Sequence, residues 1–279
     1  MAGRALVLGG GGVTGVAWEL GMIAGLAEDG LDLTGADLVV GTSAGSVVGA
    51  LVTSGEPIEE AYGRQLRPAT AEQSARLGLG LLLKFAAATI GSRDPQRSLA
   101  KIGAIALGAK TIPEHERRAI IASRLTTMDW PTRQRLLIAA VAADDGEFIV
   151  FDRDAGVSLV DAVAASCAVP GVWPPVTING RRHIDGGMRA PANVDLAAGC
   201  DRVLVLAPIT RAIRRDARVT AQVAALPQGT QAVVVSPDRA ASAAIGRNVL
   251  DPRRRASAAR AGRAQAAQVL AAVRKVWLG

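Results

Sequence analysis

The chain has 279 residues, which suits one large α/β domain or two small ones, and 49% of them are hydrophobic, which excludes an intrinsically disordered protein. Aromatics make up only 3%, so the core must be built from Ala, Val, Leu and Ile, and few side chains are available to stack on bases as a single-strand nucleic-acid binder requires. The net charge of +7 favours anionic partners, and its excess lies in "RAIRRDAR" (211–218) and "DPRRRASAARAGRAQ" (251–265), which read equally well as anion-facing surfaces or as solvated faces.

Cys167 and Cys200, the two cysteines, have neither the number nor the spacing of a disulfide framework or a zinc site, and their apolar surroundings suit buried small residues. "MAGRALVLGGGG" has no long apolar run with a small-residue cleavage site, and no segment supplies the uncharged span of ~20 residues that a membrane helix needs. A soluble, cytoplasmic setting is expected.

In chain order, "RALVLGGGG" reads as a buried strand ending in glycines, followed by a helix through "VTGVAWELGMIAGLAEDG" closed by Gly30. "ADLVV" is a second strand and "AGSVVGALVTSG" a second helix closed by Gly55. Strand–helix–strand–helix at the start argues for a parallel sheet covered by helices. Residues 57–125 contain no convincing strand and read as a helical insertion or cap. Within it, "LGLGLLLKFAAATIG" (77–91) reads first as a core helix and second as an interfacial lid carrying Leu79, Leu82 and Phe85. "RQRLLIAAVAADDGEFIVFDRD" holds two strands joined by a turn at Asp144–Gly146. "SLVDAVAASCAVPGVWPP" is a helix stopped at Pro170, and "VTINGRRHIDGG" a hairpin turning at Asn179-Gly180. "DRVLVLAP" and "TQAVVVSPD" are two more buried strands. A basic, Ala-rich helix over about 252–276 ends the chain, its apolar stripe expected on the sheet and its arginines in water. No linker marks a domain boundary, so a single domain over 1–279 is expected.

Three motifs carry chemistry. "GGGGVTG" (9–15) satisfies the dinucleotide pattern G-x-G-x-x-G, but no acidic residue ends the second strand to hold a ribose, since Asp37 lies at that strand's start. No Gly-Lys-Ser/Thr follows, which excludes a phosphate-binding P-loop. Side-chain-free amides at a helix start can instead converge on an anion, including the oxyanion of an acyl intermediate. "GTSAGS" (41–46) fits G-x-S-x-G at a strand end, either a nucleophile elbow around Ser43 or an ordinary turn. A serine needs a base, and the two histidines, His115 and His183, give a Ser-His-Asp triad little material. "HIDGG" (183–187) ends a hairpin strand with Asp185. Alone it reads as an Asp-Gly turn; with the other two motifs, Asp185 is the carboxylate to act as base.

Together these motifs, with "LVDAVAASCAVPGVWPPVTINGRRHIDGG" and "PANVD", resemble the patatin-like phospholipases over residues 4 to about 207. The resemblance implies an α/β fold, a three-layer αβα sandwich with a mostly parallel central sheet. It also implies a Ser-Asp dyad of Ser43 as nucleophile and Asp185 as base, an oxyanion hole at Gly10, Gly11 and Gly12, and hydrolysis of lipid carboxylic esters through an acyl-enzyme. It implies no cofactor and no metal. Thr14 stands where many members carry Arg or Lys; Arg181, Arg182 and Arg189 near Asp185 read first as solvated charges of the hairpin and second as basic residues compensating for it. The expected partners are a lipid ester and, peripherally, a membrane, with no nucleic acid. The rival expectation is a non-catalytic lipid-binding or regulatory protein on the same scaffold.

Overall fold

The computed structural model describes residues 3–68, 75, 78–89 and 94–279. Five parallel strands form the centre of the sheet in the order β8 (Gln231–Val235), β7 (Arg202–Leu206), β1 (Arg4–Leu8), β2 (Leu38–Thr42), β3 (Arg135–Ala142). Three antiparallel strands extend it: β4 (Phe148–Phe151) pairs with β3, β6 (Arg181–Asp185) also pairs with β3, and β5 (Val176–Ile178) pairs with β6.

The central strands are apolar on both faces because helices or packed turns cover both sides. On β1, Leu6 and Leu8 point into one core and Ala5 and Val7 into another. The larger core lies under α1 (Gly12–Glu28), α2 (Ala44–Val52), α7 (Leu159–Ser166), α9 (Arg239–Ile245) and α10 (Arg255–Leu278). The opposite core lies under a short 3-10 turn at Val194–Ala197 and α8 (Val219–Ala224). The result is a three-layer α/β sandwich. β8 is the sheet's edge and only Val235 of it is buried, so it is less enclosed than its sequence suggests.

The insertion forms α3 (Ile58–Leu66), α4 (Leu79–Thr89), α5 (Pro95–Leu107) and α6 (Glu114–Ala122). Phe85 and Ala88 of α4 pack with Leu99 and Ile102 of α5 against Val141 and Ile184 of the sheet, while Leu83 is exposed. Phe85 is thus a buried packing residue, as the core reading expects, and it also faces the cavity described below. The side chains of Leu79 and Leu82 lie outside the described residues. α7 stops at Ser166 rather than running to Pro170: Cys167 leaves helical geometry, and tight turns then carry the chain past Val169 and Trp173.

α10 packs along α1 through small residues. A side chain on Gly21 or Gly25 of α1, or on Gly262 of α10, would run into the facing helix backbone. Trp18 of α1 is fully buried in this seam and donates from Nε1 to Gln265 Oε1 at 3.0 Å. The expected packing of the last helix is what is seen, and much of its charge is anchored. Arg254 binds the carbonyls of Ala243 and Ala244, and Arg263 pairs with Glu28 and Glu59. No helix among the described residues is long and apolar enough to cross a membrane.

Candidate active site

Ser43 is the first residue past β2 and the cap of α2, with φ 53° and ψ −114°. A non-glycine residue with positive φ is strained, by about 1–3 kcal/mol, and strain of this kind collects at functional positions. The flanking glycines make the turn fit: a Cβ on Gly41 would press on the backbone of Ser46, and one on Gly45 on the end of β1. The Ser43 amide donates to Ser166 Oγ at 2.9 Å. The Ser43 carbonyl accepts from Ser46 Oγ at 2.6 Å and from the Cys167 thiol at 3.3 Å.

Asp185 ends β6. Its carboxylate meets Ser43 directly, the hydroxyl donating from Oγ to Oδ2 at 2.6 Å. Its other oxygen accepts from the Gly187 amide at 2.7 Å. Asp185 is only 2% exposed, and burial pushes its pKa up to about 7, opposed by the Ser43 hydroxyl, the Gly187 amide and the charge of Arg117. Burial together with the neighbouring Asp185 charge likewise pushes the Cys167 thiol up to about 11, leaving it a neutral filler behind the elbow. Cys200 is half-buried.

The glycine loop lies beside this pair. The Gly9 amide is shared between Leu206 O and Glu19 Oε1, both at 2.9 Å, and the Gly10 amide donates to Pro191 O at 2.7 Å. Gly10 is thereby committed as a donor, which corrects the three-amide expectation. Among the described residues no acceptor meets the amides of Gly11 and Gly12, at the positive end of α1. Gly12 has φ +60°, and a Cβ on Gly11 would strike Pro208 at 2.6 Å, so both positions require glycine.

Ser43, Asp185 and Gly10 to Gly12 line one cavity of about 700 Å³, its wall completed by apolar groups such as Val16, Phe85 and Ile102. A largely apolar cavity that also presents a hydroxyl–carboxylate pair and two unpartnered amides suits an acyl chain with its carbonyl beside them. Neither histidine takes part: His115 is exposed on α6, and buried His183 packs edge-on against Phe151, 5.5 Å between centroids. Asp37 binds the Arg4 amide at 2.8 Å, at the end of β2 remote from the glycine loop.

Several functional neighbours carry no motif in the sequence. Fully buried Glu19 holds Gly9, and burial pushes its carboxyl well above the usual carboxylate range, opposed by the Gly9 amide. Buried Asn193 donates from Nδ2 to Thr42 Oγ1, Ala190 O and Gly186 O at 3.0, 3.1 and 3.3 Å, tying the end of β2 to the exit of β6. Arg117 lies over the Trp173 ring at 3.9 Å and lines the cavity. Thr14 is fully buried and its hydroxyl donates to Val249 O at 3.2 Å. Arg181 pairs with Asp144, Asp145 and Glu147, and Arg182 binds Pro175 O. Arg189 is not a solvated hairpin charge: it bridges Asn193 and Asp195 and stacks on Phe148 at 4.0 Å.

Residues 6–198 match the family model described as Patatin-like phospholipase. The chain belongs to the patatin-like phospholipase family. Proteins from Mycobacterium bovis and Mycobacterium tuberculosis, both named uncharacterized NTE family proteins, are each 31% identical to it over 205 residues, covering 73% of this chain and 48% of theirs. The chain thus spans about half the length of these curated relatives. The crystal structure of VipD from Legionella pneumophila superposes over 98% of this patatin-like chain and 67% of that one, with a TM-score of 0.50 and 14% identity, a likeness of fold.

Proposed function

We propose that the chain is a serine acyl hydrolase that cleaves lipid carboxylic esters through an acyl-enzyme, with Ser43 as nucleophile and Asp185 as base. The observation that carries this reading is the direct 2.6 Å hydrogen bond from Ser43 Oγ to Asp185 Oδ2 on the wall of a largely apolar cavity. Family membership supports a lipid-hydrolysing chemistry.

In this reading the Ser43 oxygen attacks the ester carbonyl while its proton passes to Asp185. A carboxylate with a pKa near 7 is far better matched to that transfer at neutral pH than one near 3.9. The carbonyl oxygen becomes an oxyanion, which accepts from the amides of Gly11 and Gly12. Each such donor is worth roughly 3–4 kcal/mol in the transition state. Collapse breaks the ester C–O bond, and the leaving alcohol takes the proton from Asp185. Water then attacks the acyl-serine, giving its proton to Asp185, and the fatty acid leaves as Ser43 regains its hydroxyl.

The test is hydrolysis of nitrophenyl esters of rising chain length and of phospholipids by wild-type protein, Ser43→Ala and Asp185→Asn. Both variants should lose activity by roughly 10⁴-fold or more while remaining folded. A folded wild type that binds these lipids without turning any over would favour the non-catalytic binder.

A further inference from the structure

The two basic clusters of the sequence have different fates in the fold. Cationic side chains of 251–265 are largely engaged with carbonyls and carboxylates of the chain itself. The segment 207–218, between β7 and α8, is different. Arg211, Arg215 and Arg218 are exposed, and their side chains make no hydrogen bond or ion pair among the described residues; Arg214 pairs with its neighbour Asp216. Four arginines against one aspartate leave this segment strongly positive.

The same segment also exposes large apolar side chains. Ile213 is 58% and Ile209 38% exposed, and both line the same cavity as Ser43. Isoleucine left exposed on the lining of an apolar cavity, beside arginines with no partner among the described residues, calls for an apolar and anionic occupant. It is the combination that binds a lipid–water boundary, apolar groups entering the acyl region and cations meeting headgroup phosphates. The segment has no aromatic residue to stack on bases, which disfavours nucleic acid as its occupant.

We propose that residues 209–218 form a docking lip that seats on an anionic lipid surface, Ile209 and Ile213 inserted and Arg211, Arg215 and Arg218 on the headgroups, so that the cavity opens toward the membrane. The lip gives the proposed acyl hydrolase its access to lipid, and it rests on that reading only for this purpose; lipid binding itself is independent of turnover.

The experiment uses the full chain in a Ser43→Ala background, so that binding is read without hydrolysis. Flotation is measured with phosphatidylcholine vesicles with and without phosphatidylglycerol. The expected result is binding to the anionic vesicles only, weakened by salt. Affinity should fall by roughly tenfold or more in Arg215→Glu/Arg218→Glu and in Ile213→Ser, each with an unchanged thermal melt. On the wild-type background, Arg215→Glu/Arg218→Glu should slow vesicle phospholipid hydrolysis and leave hydrolysis of a short soluble nitrophenyl ester unchanged. Folded variants that bind vesicles as the parent does, or a parent that ignores anionic vesicles, would overturn the lip. A parent that instead self-associates through Ile213 in sedimentation would assign the surface to a second copy of the chain and overturn it equally. Vesicle binding without hydrolysis of any ester by wild type would sink the hydrolase reading and leave the lip standing.

Discussion

Thr42 and Asp185 occupy adjacent positions along one edge of β3, Thr42 opposite Ala139 and Asp185 opposite Ala140. A strand has two edges, and Ala139 and Ala140 both use the other one to pair with β4. β2 and β6 therefore approach along the same edge from opposite directions and meet at their C-terminal ends. The residue after β2 is Ser43 and the last residue of β6 is Asp185, so sheet register alone brings together two side chains 142 residues apart. Asn193 spans this junction. Asn193→Ala should leave Thr42 Oγ1 and Gly186 O less satisfied, costing about 1–3 kcal/mol, and should lower kcat while leaving KM nearly unchanged; denaturant melts and steady-state kinetics check both.

The glycine loop gives a graded prediction. A Cβ on Gly10 would find only ordinary contacts, 3.5 Å to Pro191 O and 3.6 Å to Ser43 Cβ, whereas one on Gly12 would meet Val249 O at 2.5 Å from a positive φ. Gly10→Ala should stay within about 1 kcal/mol of wild-type stability, and Gly11→Ala and Gly12→Ala should each lose about 2 kcal/mol or more and be far less active. Equal tolerance at all three positions would contradict the assigned donors.

Strain at Ser43 has its own signature. Substituting Gly for Ala ordinarily destabilises through unfolded-chain entropy, by about 0.4–1 kcal/mol. At position 43 the order should reverse, Ser43→Gly being more stable than Ser43→Ala by about 1 kcal/mol, because φ 53° suits glycine. Paired thermal melts of these two inactive variants measure it.

The pH dependence follows from Asp185. Proton transfer needs the carboxylate, so kcat/KM should rise with pH and reach half its plateau near pH 7. Stability should move the other way. With its folded pKa raised to about 7, the folded state holds a proton that the unfolded state has released above pH ~4. The stabilisation is complete below about pH 4 and is lost as pH rises through about 7, by a few kcal/mol in all. Asp185→Asn should therefore gain stability relative to wild type between pH 4 and 7, and show a flat activity profile at its residual rate.

The seam between α1 and α10 should behave as one packing unit. Gly262→Leu, which forces a side chain into the backbone of Trp18, should destabilise strongly, and removing α10 should prevent folding by exposing Trp18 and its neighbours. A stable, cooperative truncated protein would contradict that dependence.

Much of this was legible in the sequence because local patterns report local geometry. Apolar runs ending in glycine or serine marked β1 and β2, Asn179-Gly180 marked the hairpin turn, and G-x-S-x-G at a strand end marked the strained elbow. The position of β6 on the β2 edge of β3 is a long-range pairing with no local period and was not read from the sequence; only its consequence, the Ser43–Asp185 pair, was expected, through family resemblance. Glu19 and Asn193 were missed because a buried polar residue inside an apolar helix or after a turn looks like any other until its partner is known. The commitment of Gly10 to Pro191 O was invisible for the same reason: the sequence counts amides but does not say which are already bonded.

The central claim, that Ser43 is activated by Asp185 beside the glycine-loop amides, is tested most directly by intact-mass analysis after exposure to a fluorophosphonate. One adduct should form, map to Ser43, vanish in Ser43→Ala and form far more slowly in folded Asp185→Asn. A folded wild type that stays unmodified, or an adduct that persists in Ser43→Ala, would contradict it.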